Sequence, residues 1–136
     1  MKKSDLCSMA IDAMKNAYVP YSGYKVGAAL LAKTGRVYIG CNIENAAYTP
    51  TVCAERTAFF NAVSAGEKNF DIIAVAGGKN GIISGEFPPC GVCRQVMAEF
   101  CEGDFRILVV KGIDEFEEFT LCDLLPNAFA PKYIQP

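Results

Sequence analysis

Apolar positions change their spacing several times along the chain, and each change predicts a new element. From Ser4 to Tyr18 they fall at three- and four-residue steps, through Leu6, Met9, Ala10, Ala13, Met14 and Ala17. That period predicts a helix, with Ser4 as its cap and Pro20 beyond its end. Tyr21-Ser22-Gly23 reads as a turn. Tyr24 to Ala32 is then a near-continuous run of Val, Ala and Leu, the pattern of a buried strand. Thr34-Gly35 signals a tight turn and Val37 to Cys41 a returning strand, so the two form a hairpin.

Asn42 to Pro50 has no period and reads as a loop. Thr51 to Ala65 predicts a helix with Ala54, Ala58, Ala62 and Ala65 packed closely, ended by Gly66. Phe70 to Ala76 is a third strand, and Gly77 to Pro88 reads as a glycine-rich mobile loop. Cys90 to Phe100 is a helix with Pro89 near its start. Arg106 to Val110 is a fourth strand, Glu115 to Phe119 a short fifth, and Thr120 to Leu125 one or two helical turns before a tail. Strands alternating with helices after an initial hairpin predict an α/β sandwich with a mixed sheet.

Composition narrows the picture. A chain of 136 residues, 51% hydrophobic and 21% charged, suits one globular domain over residues 1–136. Its formal net charge of −2 argues against a grip on long nucleic acid, which needs a basic surface. No apolar run follows the basic N-terminus as a secretion signal requires, and none approaches the ~20 residues of a membrane span. The expected location is the cytoplasm, where the seven cysteines stay reduced.

There is no histidine. That excludes a Ser-His-Asp triad, a His-activated cysteine and any zinc site with an imidazole ligand. Acid–base chemistry near neutral pH then falls to a carboxylate whose site raises its pKa.

Two stretches carry candidate chemistry. Cys53-Ala54-Glu55-Arg56 sets a thiol two residues before a carboxylate, and Pro89-Cys90-Gly91-Val92-Cys93 sets two thiols three apart. At a helix start, that separation puts Cys90 and Cys93 on one face, and a helix N-terminus favours thiolate. Cys53, predicted in the first turn of its own helix, obeys the same argument. The Cys90–Cys93 pair alone also suits a redox couple. Joined with Cys53, it suits one Zn²⁺ held by three thiolates, with the fourth position left to water as in catalytic sites.

Cys101 lies eight residues beyond Cys93, roughly 12 Å further along a continuous helix. Cys7, Cys41 and Cys122 are isolated and read as ordinary buried thiols. Three thiolates and Zn²⁺ leave a net negative charge, which Arg56 can offset by donating to sulfur.

At this point the chain resembles a known family. Cys53-Ala54-Glu55-Arg56 together with Pro89-Cys90-Gly91-Val92-Cys93-Arg94-Gln95 is similar to the small, homotetrameric class of zinc-dependent cytidine deaminases. Tyr21 to Leu30 resembles that family's first-strand motif, Asn42 to Tyr48 its nucleoside-binding segment, and Leu124 to Phe129 its C-terminal motif. The resemblance implies a three-layer α/β/α sandwich around a mixed five-stranded sheet, and one Zn²⁺ per subunit on Cys53, Cys90 and Cys93.

It implies further that Glu55 shuttles protons during hydrolysis of cytidine and deoxycytidine to uridine and deoxyuridine, a step of pyrimidine salvage that releases ammonia. Asn42 and Glu44 would hold the sugar hydroxyls. Tyr24 would lie against the base or sugar, and the Ala54 backbone would contact the ring. Phe129 of a neighbouring subunit would stack on the base, with Tyr48 helping to build the shared pocket. Two places depart from the family pattern: Tyr24 stands where Phe is more usual, and the loop 81–88 before Pro89 is longer.

A carboxylate at Glu44 suits free sugar hydroxyls and repels phosphate, so nucleosides are expected over nucleotides. The rival readings are a deaminase for a related aminopyrimidine nucleoside and a non-catalytic zinc-stabilised binding module. An editing deaminase for RNA or DNA would need a basic or stacking-rich extension, which the chain lacks.

Overall fold

The computed structural model describes residues 1–135. Its five strands are β1 (Tyr24–Ala32), β2 (Val37–Cys41), β3 (Phe70–Lys79), β4 (Arg106–Gly112) and β5 (Glu115–Thr120). They form one sheet in the order β2-β1-β3-β4-β5. β1 pairs antiparallel with both β2 and β3, and β4 pairs antiparallel with β5. The β3–β4 pair is parallel. A parallel pair needs a crossover between its strands, and helix α3 (Gly91–Phe100) lies in that crossover. The expected mixed five-stranded sheet is therefore present.

Residues along a strand alternate between its two faces, and here both faces are covered. Ala28, Leu30, Ile73, Val75, Ile107 and Val109 pack on one side with Ala54, Ala58, Phe59 and Ala62 of α2 (Ala54–Ser64) and Met97 of α3. Ala29, Ile72, Ala74, Ala76, Leu108 and Val110 pack on the other side with Leu6, Cys7 and Ala10 of α1 (Lys3–Ala13) and with Met14. This makes the three layers. It also explains why β1, β3 and β4 read as unbroken apolar runs: strands buried on both faces have no polar side.

Two glycines allow the helices to approach the sheet. A Cβ on Gly27 would lie 2.1 Å from the Ala10 carbonyl oxygen in α1. A Cβ on Gly40 would lie 2.6 Å from the Ala54 carbonyl oxygen and 2.5 Å from the Ala58 nitrogen in α2. Both obstacles are backbone and have little room to retreat. Gly40→Ala is therefore expected to lower stability by about 1–3 kcal/mol through overpacking. It should also disturb α2 where Ala54 joins Cys53 to Glu55. Denaturant titration with zinc analysis checks this, and an unchanged midpoint contradicts it.

Several boundaries differ from the pattern-based expectation. Ser4 lies inside α1, whose cap is Lys2 with no side-chain hydrogen bond. The α-helix stops at Ala13, and Met14–Asn16 tighten into a 3₁₀ turn. Tyr18 is instead drawn beside Ile43: its amide donates to the Asn42 carbonyl, and the Glu44 amide donates to the Tyr18 carbonyl.

The unpatterned stretch after β2 is anchored by a second bridge, with Ile43 and Val52 exchanging amide–carbonyl bonds at 3.0 Å each. That bridge sets Cys53 beside the Asn42–Glu44 segment. β3 continues to Lys79, three residues beyond the predicted end. The following loop is folded back rather than loose, with the Ser84 amide on the Gly77 carbonyl and the Ile82 amide on the Lys79 carbonyl.

The last helix, α4 (Leu121–Leu124), carries a capping box in which Thr120 and Asp123 satisfy each other's backbone amides.

Candidate metal centre and active site

The cysteines of interest stand at two helix starts. Cys53 is the residue just before α2, and Cys90 the residue just before α3. Neither uses its side chain as a capping hydrogen-bond acceptor, so both sulfurs remain available. Cys93 sits in the first turn of α3. The expectation that Cys53 lies within its helix is corrected by one step: α2 begins at Ala54, because Val52 is held in the bridge to Ile43.

The three sulfurs lie within 4.8 Å of one another. Cys53 Sγ is 3.7 Å from Cys90 Sγ, and Cys90 Sγ is 3.5 Å from Cys93 Sγ. Zinc–sulfur bonds of ~2.3 Å in a tetrahedron require sulfurs about 3.8 Å apart, so this donor set fits zinc. Among the described residues, the cluster gathers these three donors and no fourth protein ligand. Cys93 is buried, Cys53 half-buried and Cys90 exposed, so the cluster opens toward solvent on the Cys90 side.

The electrostatics favour a cation. A hydrogen bond from Cys93 lowers the Cys53 thiol to about 5, against the effect of burial, and Arg56 lowers it further. The Arg56 Nη2 donates to Cys53 Sγ at 3.4 Å. Its buried Nε has no partner among the described residues. The Cys53 thiolate and burial push Cys93 up. Sulfurs this close cannot all ionise without a positive charge among them, and a bound dication removes that conflict.

Glu55 is 4% exposed, deeper than any other carboxylate among the described residues. Burial raises its carboxyl to about 7, and the negative Cys53 adds to the rise while Arg56 opposes it. A carboxyl poised near neutrality can both accept and return a proton. Its depth follows from α2: Glu55, Ala58, Phe59 and Ala62 are the buried positions of that helix.

Residues 1–109 match the family described as the cytidine and deoxycytidylate deaminase zinc-binding region. The chain belongs to that family. This deaminase is 52% identical over 120 residues to the cytidine deaminase of Sporosarcina psychrophila, a match spanning 88% of this chain and 85% of that protein. It is 47% identical to the cytidine deaminase of Halalkalibacterium halodurans over 97% of each. The crystal structure of cytidine deaminase from Burkholderia pseudomallei superposes with a TM-score of 0.86 at 42% identity, covering 95% of this chain and 100% of that one.

The remaining predicted residues of this deaminase fall into three groups. In the first, Glu44 is gripped by the turn before β1. The amides of Tyr21 and Ser22 donate to Glu44 Oε1 at 3.0 and 3.1 Å, and the Ser22 hydroxyl donates to Oε2. The Ser22 hydroxyl is the main reason that the Glu44 carboxyl is held below the usual range. Asn42 is spent on β1: its Nδ2 donates to the Tyr24 carbonyl at 2.8 Å, and its Oδ1 accepts from the Val26 amide at 2.9 Å.

In the second group, Tyr24 is 44% exposed with its ring 5.7 Å from that of Phe87. Ala54 is fully buried at the first position of α2. The third group lies outside this cluster of contacts. Tyr48 is 75% exposed in a left-handed turn with φ 61°. Phe129 is 58% exposed and stacks on Tyr133 at 5.8 Å.

Of the other cysteines, burial pushes the core thiol of Cys7, on α1, up to about 11 and the half-buried Cys101 up to about 12. Cys41 is half-buried, and Cys122 is exposed rather than buried as expected.

Four contributors escaped sequence reasoning. Ser22 reads as a turn residue at the start of the first-strand motif, with no role of its own. Phe87 sits in the stretch expected to be a mobile loop. Arg94 donates to the Pro89 carbonyl at 2.7 Å and to the Leu124 carbonyl at 2.6 Å, fixing the backbone just before Cys90. Gln95 holds the Phe129 carbonyl at 2.8 Å. Arg94 and Gln95 gave a signal through their place in the cysteine motif and Ser22 through the Tyr21 to Leu30 motif, but none of these contacts was indicated.

Proposed function

We propose that this chain hydrolytically deaminates cytidine and deoxycytidine, giving uridine and deoxyuridine plus ammonia. The observation that carries the reading is the buried carboxylate of Glu55 beside three thiols gathered at two converging helix starts. Cys53, Cys90 and Cys93 hold the zinc. When bound, zinc supplies the Lewis acidity that brings a water's pKa toward neutrality.

Glu55 takes the proton from that water and delivers it to ring N3, which makes C4 more electrophilic. As the water oxygen bonds to C4, Glu55 takes up the second proton of that water and passes it to the amino group; the C4–N bond breaks to release ammonia, while N3 keeps its proton and C4 becomes a carbonyl. Arg56 offsets the excess negative charge of the thiolates. The Ala54 backbone, at the open amide end of α2, meets the polar edge of the pyrimidine.

Glu44 and Asn42 take the sugar hydroxyls, and Tyr24 lies against the nucleoside. The Glu44 carboxylate is already held in place by three donors, which reduces the ordering cost of binding. Its ionised state excludes a 5′-phosphate by like-charge repulsion. Ultraviolet and ammonia assays on the zinc-loaded protein test this. Cytidine and deoxycytidine should be consumed and chelation should stop the reaction. Cytidine monophosphate should be used with kcat/KM about 100-fold lower. Equal efficiency on the nucleoside and its monophosphate contradicts the role of Glu44, and no ammonia from cytidine contradicts the whole reading.

The working form is a homotetramer in which Phe129 of one subunit and Tyr48 complete a neighbour's pocket. The exposure of both aromatic rings supports this. Sedimentation that finds fully active monomers rules this out. Residues 1–136 act as one unit, serving pyrimidine salvage in the cytoplasm, where reducing conditions keep the ligand thiols free. Recovery of the active protein only from secreted material overturns that placement.

A further inference from the structure

We propose that Lys79 is a positioning residue for the sugar end of the site, acting through Ser22 on Glu44. The inference rests on the reading above, in which Glu44 meets the sugar hydroxyls, and adds a residue that no motif of the sequence singles out.

Every polar atom of Ser22 is engaged, and the contacts divide by direction. Toward Glu44, the Ser22 amide and hydroxyl donate to the two carboxylate oxygens. Toward β1, the hydroxyl accepts from the Tyr24 amide at 3.0 Å. Its carbonyl accepts from Lys79 Nζ at 2.8 Å. The same ammonium lies 4.8 Å from the centre of the Tyr24 ring. One cation thus touches both the turn that grips Glu44 and the aromatic ring assigned to the nucleoside.

The backbone around Lys79 makes this contact specific. The extension of β3 beyond Ala76 pairs Lys79 with Tyr24 across the sheet. The next amide, Asn80, donates to the Gly23 carbonyl at 2.8 Å. Gly23 has φ +73°, and a Cβ there would lie 3.3 Å from Lys79 Nζ. The turn is therefore shaped with the lysine seated against it. Lys79 is exposed, yet its ammonium is held by both the Ser22 carbonyl and the Tyr24 ring. An ammonium on the Ser22 carbonyl fixes the plane of the Ser22–Gly23 peptide, and with it the turn that aims the Ser22 hydroxyl and amide at Glu44.

Replacement of Lys79 by methionine keeps an unbranched side chain one atom shorter and removes both the donor and the charge. In the zinc-loaded, full-length K79M variant, the KM for cytidine should rise about three- to tenfold, the scale of one charge-assisted hydrogen bond at an exposed site. Its kcat and zinc content should stay within about twofold of the parent, since the lysine touches neither the sulfurs nor Glu55. K79R, which keeps a cationic donor, should restore the parental KM.

The deciding arm uses 2′,3′-dideoxycytidine, which keeps the 5′-hydroxyl but lacks the two ring hydroxyls that Glu44 is read as holding. If Lys79 acts through Glu44, K79M should leave the KM for this substrate unchanged. A rise equal to that for cytidine overturns the proposal, because the lysine would then act on the base or on the fold. An unchanged KM for cytidine overturns it directly. Should K79M melt well below the parent, K79Q replaces it, with the same outcomes deciding. If the parent itself uses cytidine and the dideoxy compound equally well, the sugar role of Glu44 fails, and the role of Lys79 falls with it for that separate reason.

Discussion

Glu55→Gln is expected to lower kcat for cytidine by about 10²–10⁴-fold, the range for a lost general acid–base group, with zinc still bound. The substitution exchanges one carboxylate oxygen for an amide nitrogen and conserves volume at a position only 4% exposed. No cavity opens, and the core formed by Ala54, Ala58 and Phe59 is undisturbed. The lost property is the ability to pick up a proton and give it back.

On the proposed mechanism one carboxylate serves both the attack and the departure of ammonia, so the loss should fall at the upper end of that range. The fold should not suffer. Burial penalises an ionised Glu55, so a neutral amide there leaves the melting temperature equal or higher. Steady-state kinetics, metal analysis and a thermal melt on the same preparation check all three statements. Turnover within tenfold of the parent would remove Glu55 from the mechanism.

Cys93→Ala should abolish activity by abolishing the metal site. Cys93 is 1% exposed, and with Cys90 it forms the α3 arm of the cluster. A site of three protein ligands has none to spare. The zinc affinity should fall by more than the roughly 10–100-fold typical for loss of an outer partner. The folded state should weaken as well, because metal binding free energy contributes to folding. The variant should therefore be purified without zinc and melt earlier, and added chelator should shift its melt far less than that of the parent. Cys101→Ala is the control: that thiol lies at the far end of α3, outside the cluster, so zinc content should be unaffected. Retention of zinc by Cys93→Ala, or loss of zinc by Cys101→Ala, would mean that the ligands are misassigned.

Much of the architecture was legible from one dimension. Unbroken apolar runs placed the central strands β1, β3 and β4, since strands covered on both faces have no polar alternation to lose, and turn signals and composition placed β2 and β5. The helical period placed α1, α2 and α3 to within a few residues. The thiol cluster was legible because three of its features are local: a cysteine just before one helix, two cysteines three apart at another, and a carboxylate in the first turn of the first helix. Each helix start carries its own chemistry wherever the fold takes it.

What the order of residues alone determined is therefore which groups exist and which local element presents each one. Only the tertiary structure decided how distant groups meet. Helix α1 ends at Ala13 because Tyr18 finds a better partner in the Asn42–Glu44 segment than in another helical turn. Strand β3 runs on to Lys79 because β1 offers it ladder partners as far as Tyr24. The grip of Ser22 on Glu44, the clamp of Arg94 on Leu124 and the seat of Lys79 against Ser22 join residues 22, 30 and 57 positions apart. Such contacts leave no periodic trace. Each is made by single side chains whose meeting depends on the strand order of the sheet, and that order is chosen by burial of the whole core at once.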